Sequence, residues 1–279
     1  MKTYIDFAHS QTSNIIIKRY TTTNRNTTMN NDFNYKFINP PKPIADFVES
    51  LGMFHNQTDK AKEVVLLPDG RIDLFFSQSA SEPFHVTLIG LETVPKQRSI
   101  LPQTISFVIS FKPLAVEYIL QTSIADLLNR AKHLPDNFWN FNVDDLKDFD
   151  LFYTKASKKI KTILPATIDE RKRKLFELIY SSNGEMSVKE LSEKSFWSSR
   201  QINRYFNQQF GLSLKAFCDI LRFRISLEHI AKGKLFPELN FTDQNHFIKE
   251  IKKFSGVVPK ELSKNKNDRF VLLSVLKQE

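Results

Sequence analysis

The segment SVKELSEKSFWSSRQINRYFNQQFG, residues 187–211, constrains this chain more than any other. Ser187 is followed three residues later by Glu190, and Ser198 by Gln201. Each pair spells a capping box: the hydroxyl accepts from a free backbone N–H of the first helical turn, and the longer side chain reaches back to the cap residue. Two short helices are therefore expected, over 188–195 and 199–210, joined by a tight turn at Phe196 and Trp197. That is the layout of a helix-turn-helix.

The second of these helices has two unlike faces. At 100° per residue, Ile202, Tyr205, Phe206 and Phe210 share a stripe that must be buried. Arg200, Asn203, Arg204 and Asn207 share the opposite face at helical spacing. No acidic residue occurs from 194 to 218, whereas an ordinary solvated face mixes signs. Arginine can bond guanine O6 and N7 with both arms, and asparagine can do the same at adenine N6 and N7, so the face suits a major groove.

A second unit follows at 241–256. Phe247, Ile251 and Phe254 fall on one face, and Asn245, Lys249 and Lys252 on the other. Its cations are lysines, which act as point charges rather than planar forks, so this helix is expected to hold phosphate more than to read bases. Between the units, residues 213–231 are apolar on two flanks. That fits a helix wedged between two small subdomains. Cys218 lies on one of those flanks and reads as a buried small hydrophobe rather than a nucleophile.

Composition agrees with an acidic partner. The chain of 279 residues carries 40 Lys and Arg against 31 Asp and Glu, a net +9. Residues 165–279 hold 21 basic and 14 acidic side chains, so most of the excess lies there. Such an excess points to nucleic acid first. The single cysteine excludes an internal disulfide and fits a reducing, cytoplasmic setting. No Walker A loop or G-x-G-x-x-G turn occurs, which argues against the common nucleotide-binding enzymes. No apolar run approaches 18 residues, so no membrane span is expected, and no secretory leader follows Met1 and Lys2.

The first half reads differently. Residues 21–32, TTTNRNTTMNND, have no hydrophobic period and are expected to be disordered. Residues 1–28 are expected to lie outside the fold, with Met29 an alternative start, so 1–32 is set aside as a disordered or non-native extension. Residues 35–112 read mainly as strands, with a hairpin-like turn at Pro68-Asp69-Gly70. Residues 104–111 alternate as a half-buried strand, and a small β-barrel or sandwich is expected. From Leu114 the period turns helical. The stripe Leu146, Phe149, Phe152, Ala156, Ile160 and Ile163 predicts an amphipathic helix, packed on its own domain or pairing two subunits. Leu164-Pro165-Ala166-Thr167 marks a boundary, giving a β-rich domain at 33–164, a helical domain at 165–262 and a tail at 263–279. The apolar residues 270–276 of that tail would cover their own domain or a second subunit. The fold class expected is α+β, with flanking helices on the β-rich part.

The helical half resembles the C-terminal DNA-binding domain of AraC/XylS-type transcription regulators. The resemblance is carried by Ser198 through Phe206, by Gly211-Leu212-Ser213-Leu214, by Arg222, by Phe241-Thr242-Asp243-Gln244-Asn245-His246-Phe247, and by Phe254-Ser255-Gly256-Val257-Val258-Pro259. It implies an all-α domain of two helix-turn-helix units, joined by one long helix, that enter successive major grooves. It implies Arg200, Gln201, Asn203 and Arg204 as base-facing residues of the first unit, and Gln244, Asn245 and Lys249 of the second. Double-stranded DNA is the partner implied, with RNA polymerase, a homodimer partner and a small-molecule effector open. One interval departs from the family. The run AKGKLFPELN before Phe241 is short and holds Pro237, so the first helix of the second unit is expected to be truncated or replaced by a turn. The β-rich half resembles, more weakly, a domain of unsettled function that precedes such DNA-binding domains in bacterial regulators. Val65 through Phe75, Gly90 and Phe111-Lys112-Pro113 carry that likeness.

The function expected is thus sequence-specific DNA binding in transcription regulation, as activator or repressor. Two other classes stand beside it. A helical protein-binding adaptor would use the same helix pair for docking. A DNA-repair alkyltransferase would need an exposed reactive cysteine, and Cys218 sits among apolar neighbours. No catalytic set, metal site or cofactor is read: the six histidines are scattered, and Asp144, Asp145, Asp148 and Asp150 read as solvated charges.

Overall fold

The computed structural model describes residues 25–29, 33–239 and 241–277. The first half is an antiparallel sheet of seven strands in the order β1-β2-β3-β8-β5-β6-β9, with a separate pair β4-β7. The strands are β1 (Arg25–Met29), β2 (Phe33–Ile38), β3 (Val48–Asn56), β4 (Lys62–Leu66), β5 (Ile72–Gln78), β6 (His85–Ile89), β7 (Lys96–Ile100), β8 (Thr104–Phe111) and β9 (Ala131–Leu134). The helices are α1 (Phe149–Ile163), α2 (Glu170–Ser181), α3 (Val188–Ser195), α4 (Ser199–Phe210), α5 (Leu214–Ala231), α6 (Gln244–Ser255), α7 (Pro259–Lys264) and α8 (Val271–Leu276). The class is α+β, with a β-rich first half and a helical second half.

Four expectations change at this level. Arg25–Met29 is not disordered but pairs with β2, Arg25 opposite Phe37 and Met29 opposite Phe33. β-branched threonines suit an edge strand even where no apolar alternation signals it. The remainder of 1–32 lies outside the described residues. The turn at Pro68-Asp69-Gly70 does not close a hairpin, because β4 pairs with β7 and β5 with β6 and β8. It is a corner between the two sheets. The strand β8 is buried on both faces, not one, and Ser106 is satisfied by accepting from the Ser77 hydroxyl at 2.8 Å. Residues 116–134 yield only single helical turns and the edge strand β9, whose sequence AKHL carries neither a strand nor a helix pattern.

The helix α1 lies within the range its stripe defined. Phe149 and Phe152 pack edge-on against Phe107 at 5.2 and 5.1 Å between ring centres, and Phe152 also meets Phe76 at 5.3 Å. Of the two readings of this stripe, packing on its own domain is the one observed. Phe47, Phe76, Phe107, Phe111, Phe141, Phe149 and Phe152 fill this interior.

The chain passes from α1 to α2 through 164–169, yet the apolar core does not stop there. One continuous cluster runs from Ile44, Phe76 and Phe111 beside the sheet, through α1, to Leu175, Ile202, Phe206 and Phe217 of the helical half. A second cluster joins Leu67, at the end of β4, to Phe223 and Leu227 of α5, Phe247 and Ile251 of α6, and Phe270 and Leu273 at α8. The tail packs on the helical half, one of the two readings expected of it, and also reaches β4 of the first half. The Val65 N–H donates to the Arg269 carbonyl at 2.6 Å.

Between the halves sits a buried ionic cluster. Glu49 of β3 accepts from Arg71 at 2.8 Å and lies 3.4 Å from Arg224 of α5 and 3.7 Å from Lys112. Arg71 also donates to the Tyr180 hydroxyl of α2 at 3.2 Å. Burial alone would raise the Glu49 carboxyl, but Arg71, Arg224 and Lys112 outweigh it and hold its pKa at about 2. Asp73 goes the other way: burial, with Asp69 beside it, pushes it up to about 7 although the Ser110 hydroxyl donates to it at 2.6 Å. Burial also pushes the Tyr180 phenol up to about 12. The corner turn belongs to this junction. Gly70 has φ +75°, and a methyl built there would lie 3.2 Å from Leu221 and 3.3 Å from Phe217, both of α5. Glycine thus serves both the turn and the close approach of the helix.

Candidate nucleic-acid interface

The first unit forms as the caps require. The Ser187 hydroxyl accepts from the Glu190 N–H at 3.2 Å, and Glu190 accepts from the Ser187 N–H at 2.9 Å. For α4, Ser198 accepts from the Gln201 N–H at 3.3 Å, and Gln201 Oε1 accepts from the Ser198 N–H at 3.2 Å. Phe196 takes a left-handed conformation, φ 54°, to make the joint, and Gly211 ends α4 with φ 74°. Ile202, Tyr205, Phe206 and Phe210 are all buried, with Phe206 against Phe176 of α2 at 5.7 Å.

The opposite face carries Arg200 and Arg204, one turn apart and both exposed. Among the described residues neither is engaged by a carboxylate. Asn207 is exposed beside them, its amide donating to the Asn203 carbonyl at 2.8 Å. The other two members of the predicted set are committed elsewhere. Gln201 is exposed, but its carbonyl oxygen accepts from both the backbone and the hydroxyl of Ser198. Asn203 is half-buried; its amide donates to the Ser199 carbonyl at 3.1 Å, and its oxygen accepts from the Leu214 N–H at 3.3 Å. Asn203 thus ties α4 to the start of α5. The helical wheel places it at the margin of the outer face, and the backbone groups within reach draw the amide in.

The second unit lacks its first helix. Among the described residues no helix lies between Ala231 and Gln244, as the short, proline-bearing interval predicts. The Asp243 carboxylate caps α6 by accepting from the His246 N–H at 2.8 Å. Phe247, Ile251 and Phe254 are buried, with Phe254 5.2 Å from Phe223 of α5. Asn245, Lys249 and Lys252 are exposed. Gln244 departs from the prediction: its amide turns back to the Leu235 carbonyl at 3.1 Å, and its oxygen is buried. That side chain holds the loop that replaces the missing helix.

Two features escaped the sequence reading. Phe196 is 88% exposed, a bare aromatic ring at the joint beside the N-terminus of α4. The second is the hold of the β-rich half on α4. The Ser123 hydroxyl donates to the Gln208 carbonyl at 2.6 Å, and the Ile124 N–H to the Gln209 carbonyl at 2.9 Å. No local pattern announces a pairing so distant in sequence.

Cys218 is buried, and burial pushes its thiol up to about 12. Among the described residues no group of three His, Cys, Asp or Glu side chains could hold a metal ion, and no helix is long and apolar enough to cross a membrane. A cleft of about 720 Å³ opens between the loop after β3 and the segment joining α7 to α8. Lys60, Lys62, Lys264, Lys266 and Arg269 line it, with Glu63, Glu261 and Asp268.

Residues 36–133 match a family model described as a domain of unknown function, DUF6597, in the β-rich half where such a domain is expected. No curated protein matches this sequence. Among solved structures the chain is similar to ToxT from Vibrio cholerae, at 12% identity over 77% of this chain and 97% of that one, with a TM-score of 0.42. It is also similar to ToxT from Vibrio cholerae O395 bound to (E)-4-(8-methylnaphthalen-1-yl)but-3-enoic acid, at 14% identity over 87% and 99% of the two chains, with a TM-score of 0.44.

Proposed function

We propose that this protein is a sequence-specific DNA-binding transcription regulator of the AraC/XylS type. In this reading α4 enters the major groove, Arg200 and Arg204 read base edges, and α6 grips phosphates through Lys249 and Lys252, with Asn245 beside them. The observation that carries it is the pair of arginines standing one turn apart, exposed and, among the described residues, unclaimed by any carboxylate, on a helix whose opposite face is buried. An α-helix fits the major groove, and a two-armed arginine contact to guanine is worth about 1–3 kcal/mol of base discrimination.

The contact set is narrower than the sequence alone implies. Gln201, Asn203 and Gln244 serve the fold first, because their amides already bond backbone groups. The β-rich half acts as sensor or dimerisation domain. Its interior is filled by phenylalanines, so a small-molecule effector is better accommodated by the cleft beside α7, whose cations favour an anionic compound.

Mapping of the full-length protein on genomic DNA tests the proposal. An enriched sequence motif, bound with an affinity that falls steeply with salt as counterions are released, is expected. Occupancy without any enriched motif would overturn it.

A further inference from the structure

The second unit has lost the helix that would brace α6, and the structure supplies a brace from outside the helical domain. Leu67, at the end of β4, shares a buried cluster with Phe247 and Phe254 of α6 and with Phe270 at the start of α8. Strand β4 and the tail are stitched together by the Val65 N–H bond to the Arg269 carbonyl. Phe270 is itself locked: Asn265 Oδ1 accepts from its N–H at 2.9 Å, and Asn265 Nδ2 donates to its carbonyl at 3.2 Å. At the far end of α6, a methyl built on the capping Gly256 would lie 3.6 Å from Pro95, in the loop before β7. The β-rich half therefore joins the apolar cluster beneath α6 through Leu67 and lies close to its C-terminal cap at Pro95, while α5 and α7 pack on α6 from within the helical half.

We propose that the β-rich half, through Leu67 and the tail anchored by Phe270, sets the orientation in which α6 meets DNA. These two are positioning residues: neither faces the nucleic acid, and both act through α6. The geometry stands on its own, while its consequence for DNA rests on the reading in the preceding subsection. Leu67 belongs to the cluster beneath α6 and not to the one beneath α4, so a change at this brace would act on α6 first.

The test uses the full-length protein with Leu67→Ala and the conservative Leu67→Met, in two measurements. Amide hydrogen exchange without DNA is expected to show α6 exchanging at least tenfold faster in Leu67→Ala, with α4 within twofold of wild type and Leu67→Met restored. Hydroxyl-radical footprinting on a duplex selected from random sequence by the wild type is expected to lose protection over one of two adjacent segments in Leu67→Ala, and to regain it in Leu67→Met. Unchanged α6 exchange would overturn the proposal, as would equal loosening of α4, which would mark plain destabilisation. Should the wild type select no duplex, the DNA reading falls, and the exchange measurement still decides this inference by itself.

Discussion

The helices α4 and α6 both turn an exposed basic face outward, but they are supported differently. The first stands in a complete unit: α3 precedes it, both helices have capping boxes, and its apolar stripe closes on α2 and α5. Among the described residues no short helix stands between α5 and α6, and the apolar stripe of α6 is closed by α5, Leu262 of α7, the C-terminal tail and Leu67 just after β4. The β-rich half also holds the first helix, but at its C-terminal end, where Ser123 and Ile124 donate to the Gln208 and Gln209 carbonyls. A helix that borrows support couples its position to whatever the lender does. The difference also follows the chemistry of the faces, since arginine forks reward fixed geometry and lysine point charges tolerate movement.

The largest effect is expected from the arginine face. Arg200→Glu with Arg204→Glu should lower specific affinity by about a thousandfold or more, since two contacts of about 1–3 kcal/mol each are lost and repulsion is added. Binding titrations at fixed salt measure it, with far-ultraviolet circular dichroism as the check on folding. Retained binding would favour the adaptor reading, in which these charges are dispensable.

Next comes the junction that ties the two regions together. Removing the Arg71 guanidinium, as in Arg71→Ala, takes its hydrogen bonds from Glu49 and Tyr180 but leaves Arg224 and Lys112 beside the half-buried carboxylate, and should cost about 1.5–3 kcal/mol of stability, read from chemical denaturation. Lys249→Ala and Lys252→Ala sharpen the contrast between the helices. Each should weaken all sequences about equally and flatten the salt slope by roughly one contact, without changing base preference. Asn203→Ala, by contrast, should cost about 1 kcal/mol of stability through lost hydrogen bonds and leave the selected motif intact.

A separate effect depends on pH. Asp73 has a folded pKa of about 7, above its unfolded value, so the folded state takes up its proton first and stability falls as pH rises from about 4 to about 7. Asp73→Asn should therefore match wild type near pH 4 and exceed it at pH 8, in thermal melts across that range. Glu49 has the opposite sign: its folded pKa of about 2 contributes stability above about pH 4.5 that is lost as the pH falls toward 2.

Legibility in the sequence divides along the same line. The first unit could be read almost to the residue, because its signals are local: two capping boxes, a glycine stop and one apolar stripe give 188–195 and 199–210, and the helices are Val188–Ser195 and Ser199–Phe210. The loss of a helix before α6 was equally local, written in Pro237 and a short interval. What could not be read is non-local or finer than a wheel. A wheel gives the direction of Cβ, so it could not say that Asn203 and Gln244 bend back to carbonyls. The corner at Gly70 looked like a hairpin because the turn chemistry is the same, and only the pairing of β4 with β7 distinguishes them. The Glu49, Arg71 and Arg224 cluster joins three distant segments, and nothing near any of them marks the others.

The central claim is that Arg200 and Arg204 read base edges from α4. Selection of random-sequence duplexes by the full-length wild type and by Arg200→Ala, followed by sequencing, tests it most directly. The account predicts one enriched motif for the wild type, and for the variant the same motif relaxed at a single guanine, with affinity lowered by about 1–3 kcal/mol. Motifs identical at every position in the two proteins would contradict it.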